Sequence, residues 1–160
     1  MQATILRQPP RIKVLEASSA IADGRIEELS QWIARVRSSD GTRTYIVIIE
    51  PETMRVYSSD NGTLLRGYVG YPIISLMMLR GMLPFNKRIA DALRGIPWKR
   101  LNETYRRYAV VEKIVKSIAR NRGVTEKEID DYINQVMSRL SSYRLVLDPE
   151  LPKKMGIEEG

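Results

Sequence analysis

Arg35-Val36-Arg37-Ser38-Ser39-Asp40-Gly41-Thr42 returns twenty residues later as Arg55-Val56-Tyr57-Ser58-Ser59-Asp60-Asn61-Gly62-Thr63. Asp-Gly and Asn-Gly tolerate the positive φ angles of tight hairpin turns. The flanks alternate or are β-branched, with Trp32, Ala34 and Val36 before the first copy and Tyr45 to Ile48 after it. Both copies therefore read as hairpin tips, and Pro51-Glu52-Thr53 supplies a third turn between them. The expectation is an antiparallel meander of about four strands within residues 25–70, near 31–37, 43–50, 54–58 and 63–69. Residues 32–37 also fit a helical period, and the repeat favours the strand.

Outward from the meander, the pattern turns helical on both sides. Pro9-Pro10 precedes a stretch, 11–23, in which Val14, Ala17 and Ile21 fall at helical spacing, with Gly24 as a left-handed stop. Pro72 suits a first helical turn and Gly81 a stop, and the residues between are apolar almost all round, as in a helix buried on several sides. A short helix near 86–93 follows. Asn102 then reads as the cap of a long helix with Tyr105, Tyr108, Val111, Ile114, Val115 and Ile118 on one face, closed by Gly123. Thr125 and Glu128 have capping-box spacing, and Ile129, Tyr132, Ile133, Val136 and Leu140 carry the last helix to about residue 142. A short strand at 143–147 closes the pattern. The fold class is α+β: an N-terminal helix and meander packed with a helical half, 72–142, in one domain spanning 1–148. The polar segment 149–160 is expected to be a mobile tail.

Composition narrows the chemistry. The chain of 160 residues has no cysteine and no histidine, which excludes disulfides, thiolate nucleophiles, Ser-His catalysis and Cys- or His-based metal sites. The most apolar run, 71–79, is far shorter than the roughly 20 residues a bilayer span needs, and residues 1–10 lack a signal-peptide core. No membrane partner and a cytoplasmic location are expected. Arginine (18) far outnumbers lysine (8), a leaning that suggests a heat-adapted source. The net charge of +7 is concentrated: residues 1–80 carry +2, 81–123 carry +8 and 124–160 carry −3.

The basic middle is the strongest functional signal. Stepped at about 100° per residue, Arg106, Lys113, Lys116 and Arg120 fall on one stripe. Lys87, Arg88, Arg94, Lys99 and Arg100 lead into it, interleaved with Phe85 and Trp98. Phosphates are attracted to such a cluster, and bases stack on rings that are exposed. The plainer reading is a solvated helix face, with Trp98 and the tyrosines in the core. Ala119, Gly123, Val124, Thr125 and Ile129 have helix-turn-helix spacing, but Glu126, Glu128, Asp130 and Asp131 on the second helix would repel DNA, so the corner reads as architecture. Gly67-Tyr68-Val69-Gly70 matches a Gly-x-x-Gly spacing, yet it follows a strand and holds no basic residue, so it reads as a strand end. The conspicuous acids Asp40, Glu50, Glu52 and Asp60 all sit at turns.

The expectation is a small non-enzymatic protein that binds DNA or RNA through phosphate contacts of the 80–122 segment, with no cofactor and no metal. One alternative is an assembly module that forms homo-oligomers through the acidic 126–142 helix. A carboxylate-dependent enzyme, whose acids would meet only in the fold, is the third.

Overall fold

The computed structural model describes residues 4–157. Helices and a mixed six-stranded sheet make the chain α+β. The strands are β1 (Thr4–Ile5), β2 (Ile26–Ser30), β3 (Ile33–Arg37), β4 (Thr44–Glu50), β5 (Arg55–Ser58) and β6 (Val146–Leu147), lying in the order β1-β6-β5-β4-β3-β2. From β2 to β5 each strand pairs antiparallel with the next, Ile33 facing Ile48 and Val47 facing Ser58. β6 returns parallel to β5 and antiparallel to β1, which joins the two ends of the chain.

The meander is offset from the sequence pattern by one strand. β2 lies ahead of it, and the strand expected at 63–69 is replaced by the short helix α2 (Asn61–Leu64). Only the first copy of the repeat is a hairpin tip. In the second, Asp60 has extended backbone and its carboxylate accepts from Thr63 N–H at 3.1 Å, a helix cap rather than a turn. Gly62 is there for space: a Cβ would stand 2.5 Å from the Tyr68 ring.

Helix α1 (Ile12–Ala22) packs on α3 (Tyr71–Leu79), which lies against β4 and β5. Ile46, Val47, Ile48 and Ile49 are all buried, so β4 is covered on both faces and reads as a continuous apolar run rather than an alternation. Helix α4 (Lys87–Ala92) also rests on α1. The long helix expected from Asn102 to Gly123 is two helices, α5 (Trp98–Tyr105) and α6 (Tyr108–Asn121), separated at Arg106, whose φ of 55° is left-handed. Asn102 is inside α5 and caps nothing. The last long helix, α7 (Glu126–Leu140), begins with the expected capping box at Thr125 and Glu128. The expected mobile tail contains α8 (Leu151–Lys154), with Leu151 fully buried and Asp148 salt-bridged to Lys154 at 2.9 Å; residues 158–160 lie outside the described chain. Among the described residues no helix is long and apolar enough to cross a membrane.

Candidate phosphate-binding cleft

The ten candidate residues do not form one surface. Lys87 and Arg94 both bind Asp91, at 2.8 and 3.0 Å, while Arg88 ties to Glu128 and to the carbonyl of Gly123, both at 2.5 Å. Of the three, Arg88 fastens α4 to the corner between α6 and α7, whereas Lys87 and Arg94 bind an acid of α4 itself and Arg94 also reaches the Ala22 carbonyl at 2.7 Å. Lys116 is held between Glu112 at 2.9 Å and Asp130 at 2.6 Å, with Arg11 reaching the same two acids. The stripe is therefore broken: Lys113 and Arg120 stay exposed on α6 without an ion-pair partner among the described residues, whereas Arg106 leaves the helix altogether. Arg100 is exposed on α5 and likewise unpaired. Trp98 is only 3 % exposed, so its ring is no open stacking platform; the plainer reading holds for it.

Lys99 and Arg106 instead line a cleft of about 670 Å³ where the two repeat copies meet the N-terminus of α5. Ser38 and Ser39 come from the first copy and Asp60, Asn61 and Gly62 from the second. Both copies fold by the same chemistry. Ser38 Oγ donates to Asp40, which also accepts from Thr42 N–H and Oγ; Ser58 Oγ donates to Asp60, which accepts from Thr63. The Thr42 hydroxyl and N–H hold the Asp40 carboxyl well below the usual carboxylate range. The repeat thus builds two stiff loops that face one cavity.

Six cations, Lys13, Arg25, Arg43, Arg66, Lys99 and Arg106, line this cleft against three acids, Glu16, Asp60 and Glu103. Three of the cations are spoken for. Lys13 binds buried Glu16 at 2.8 Å and lies 5.1 Å from the Tyr108 ring centroid, a cation–π distance. Burial pulls the Lys13 ammonium down, but the charge and hydrogen bond of Glu16 outweigh it and the group is held above its ordinary value. Arg25 binds Asp23 at 3.4 Å and the Arg37 carbonyl at 2.6 Å, and Lys99 binds Asp40 at 3.2 Å. Arg43, Arg66 and Arg106 are exposed and, among the described residues, have no carboxylate partner.

Tyrosines make the rest of the wall. Burial pushes the Tyr68 hydroxyl up to about 12, and raises those of Tyr71 and Tyr45, whose rings meet edge to face at 6.3 Å. Two buried side-chain polar atoms lack a partner among the described residues, Trp98 Nε1 and Asn102 Oδ1, and both residues line this cleft. Each such orphan costs about 1–3 kcal/mol, which marks this wall as the least satisfied part of the molecule. Among the described residues no group of three acids is placed to hold a metal ion.

Only Trp98, Lys99 and Arg106 of the ten residues reach the cleft. Lys13, Glu16, Arg25, Arg43 and Arg66 lay outside the basic segment, and their signals were weaker. Glu16 is an acid between Leu15 and Ala17 in a helix buried over most of its length, and a buried acid in that setting needs a partner.

A family model for uncharacterised conserved protein UCP014422 matches residues 6–146. The chain belongs to this family. No curated protein and no solved structure matches it. The matched span runs from just before α1 to β6 and contains the whole cleft.

Proposed function

We propose that this chain is a non-enzymatic nucleic-acid-binding protein that grips phosphates at the rim of the cleft, with the guanidinium groups of Arg43, Arg66 and Arg106. The observation that carries this reading is that these three arginines, from three separate connecting segments, line one cavity and among the described residues have no carboxylate to neutralise them. A planar guanidinium offers paired donors that match phosphate oxygens, and leaving three unpaired around one cleft costs self-repulsion that an anion relieves. The basic 80–122 segment contributes Lys99 and Arg106 to the rim, with Arg100, Lys113 and Arg120 as an outer track that extends the field.

A cavity of about 670 Å³ has the volume of a small-ligand site, so it suits a single strand or a strand end rather than a duplex. Less supports assembly through α7, since Glu128, Asp130 and Asp131 each have a basic partner within the chain.

The test is fluorescence anisotropy with labelled single- and double-stranded oligonucleotides from low to physiological salt. Three contacts on a single strand give a log–log salt slope of about −2. The triple change Arg43→Glu, Arg66→Glu, Arg106→Glu should abolish binding, and Lys113→Glu with Arg120→Glu should only weaken it. No binding at low salt overturns the reading, and loss only in the α6 pair moves the site to the outer track.

A further inference from the structure

We propose that the floor of the cleft is a seat for the hydrogen-bonding edge of one nucleobase, with Trp98 Nε1 as donor and Asn102 Oδ1 as acceptor; this rests on the phosphate-gripping reading of the rim. The two atoms are the buried side-chain polar atoms left without a partner among the described residues. They belong to residues four apart on α5, hence to neighbouring turns of one helix face. Both residues line the cleft that holds the unpaired arginines. An unpaired donor beside an unpaired acceptor is complementary to a planar edge carrying an acceptor beside a donor. Every nucleobase has such an edge, so the seat takes a base without choosing among the four.

The orientation of the Asn102 amide is set by its neighbours. Its Nδ2 donates to Glu16 Oε1 at 2.7 Å, and Glu16 Oε2 in turn accepts from Lys13 at 2.8 Å. A carboxylate only accepts hydrogen bonds, so turning the amide over would set oxygen against oxygen. Lys13 and Glu16 are therefore positioning residues: they hold the Asn102 carbonyl on the side away from Glu16. Both orphan atoms are closed to water in the structure, so a base meets them when the α5 wall shifts. Trp98 is the one buried residue of α5 and the helix ends in the left-handed Arg106, so the shift must loosen Trp98 packing and the Lys99 contacts to Ser39, Thr42 and Asp40. Arg106 stands at the same wall, so a nucleotide whose phosphate draws in Arg106 also opens the way for its base.

The experiment uses Trp98 as its own reporter. Trp32 and Trp98 are the only tryptophans, so Trp32→Phe leaves Trp98 as the single fluorophore. This variant is titrated with AMP, CMP, GMP and UMP, and with ribose 5-phosphate, which has the same phosphate and sugar but no base. The nucleotides should bind about tenfold or more tightly than ribose 5-phosphate, and only they should shift Trp98 emission to saturation. Asn102→Ala, checked for folding by its melting curve, should bring nucleotide affinity down to that of ribose 5-phosphate. Equal affinity for nucleotides and ribose 5-phosphate overturns the inference, as does nucleotide binding that leaves Trp98 emission unmoved. If oligonucleotides bind and mononucleotides do not, the base seat fails and the phosphate grip stands. If mononucleotides bind and move Trp98 while oligonucleotides do not bind, the base seat stands and the nucleic-acid reading falls.

Discussion

Asp40 and Asp60 occupy equivalent places in the repeat and make equivalent bonds, yet one is exposed and the other only 6 % exposed. Asp60 accepts from Ser58 Oγ, Thr63 N–H and Thr63 Oγ, and Thr63 Oγ accepts in turn from Gly70 N–H at 3.1 Å. Gly70 is tied to this chain sterically too, since a side chain there would overlap the Asp60 carboxylate. Removing Asp60 deletes a helix cap and strands two buried hydroxyls. Asp60→Ala should therefore destabilise the fold by about 2–3 kcal/mol, and Asp40→Ala, which strands one buried hydroxyl, that of Ser38, and leaves exposed Thr42 free to turn to water, by less. Urea unfolding of the two variants at neutral pH decides this, and equal losses would contradict it. The same residues show what a sequence hides. The Ser-Ser-Asp repeat announced two hairpin tips, and only the first copy is one. The second feeds a helix that Asp60 caps, with Tyr68 packed where a side chain at Gly62 would stand, a contact that no local pattern announces.

At the scale of elements, helices were legible where their signals were local. The capping box of α7 and the Pro72 start of α3 stand where the spacing puts them, and the short helix expected near 86–93 is α4. The break between α5 and α6 was not legible, because Arg106 and Arg107 are good helix formers and neither Gly nor Pro marks the site. The chain bends there against local propensity, as Trp98 is buried and Asn102 turned toward Glu16 while α6 buries Val111, Val115 and Ala119. One consequence is that most of the cleft went unseen. A stripe drawn through an unbroken helix puts Arg106 beside Lys113, whereas the break carries it to the cavity. The left-handed backbone of Arg106 costs about 1–2 kcal/mol, which glycine would avoid at an entropic cost of about 0.5–1 kcal/mol. Arg106→Gly should therefore leave stability within about 1 kcal/mol of the parent and still weaken phosphate binding, while Arg106→Val, β-branched at positive φ, should unfold at lower urea. Melting curves of both, set beside anisotropy, separate the structural role of this position from its charge.

Over the whole molecule, the titrating groups leave a wide silent window. Asp130 is pulled below its ordinary value by its hydrogen bond to Lys116 and by Arg11, and Glu128 by the Thr125 N–H and Arg88. Burial raises Asp148, but Lys154, the Glu150 N–H and Arg55 outweigh it and it too is lowered. Folded values below the unfolded value of about 4 mean that the unfolded chain binds more protons in that range. The stability these acids give is complete above about pH 5 and is lost as pH falls through their folded values. At the other end Lys13 and Tyr68 are raised, so their contribution is complete below about pH 10 and is lost above it. With no histidine or cysteine in the chain, no side chain of ordinary pKa titrates in between. Urea midpoints should be flat from about pH 5 to about pH 10, and Asp148→Asn should lower the plateau and flatten the acid limb. The same silence makes the ligand's own ionisation visible. A terminal phosphate takes up its second charge near pH 6, and an internal phosphodiester has no such step. Affinity for a nucleoside monophosphate should therefore rise as pH goes from about 5 to about 7, because the arginines meet a second charge, and affinity for an oligonucleotide without a terminal phosphate should not change. Parallel titrations of the two ligands across that range would show it. A rise shared by both would place the titrating group in the protein and contradict a cleft built on arginine alone.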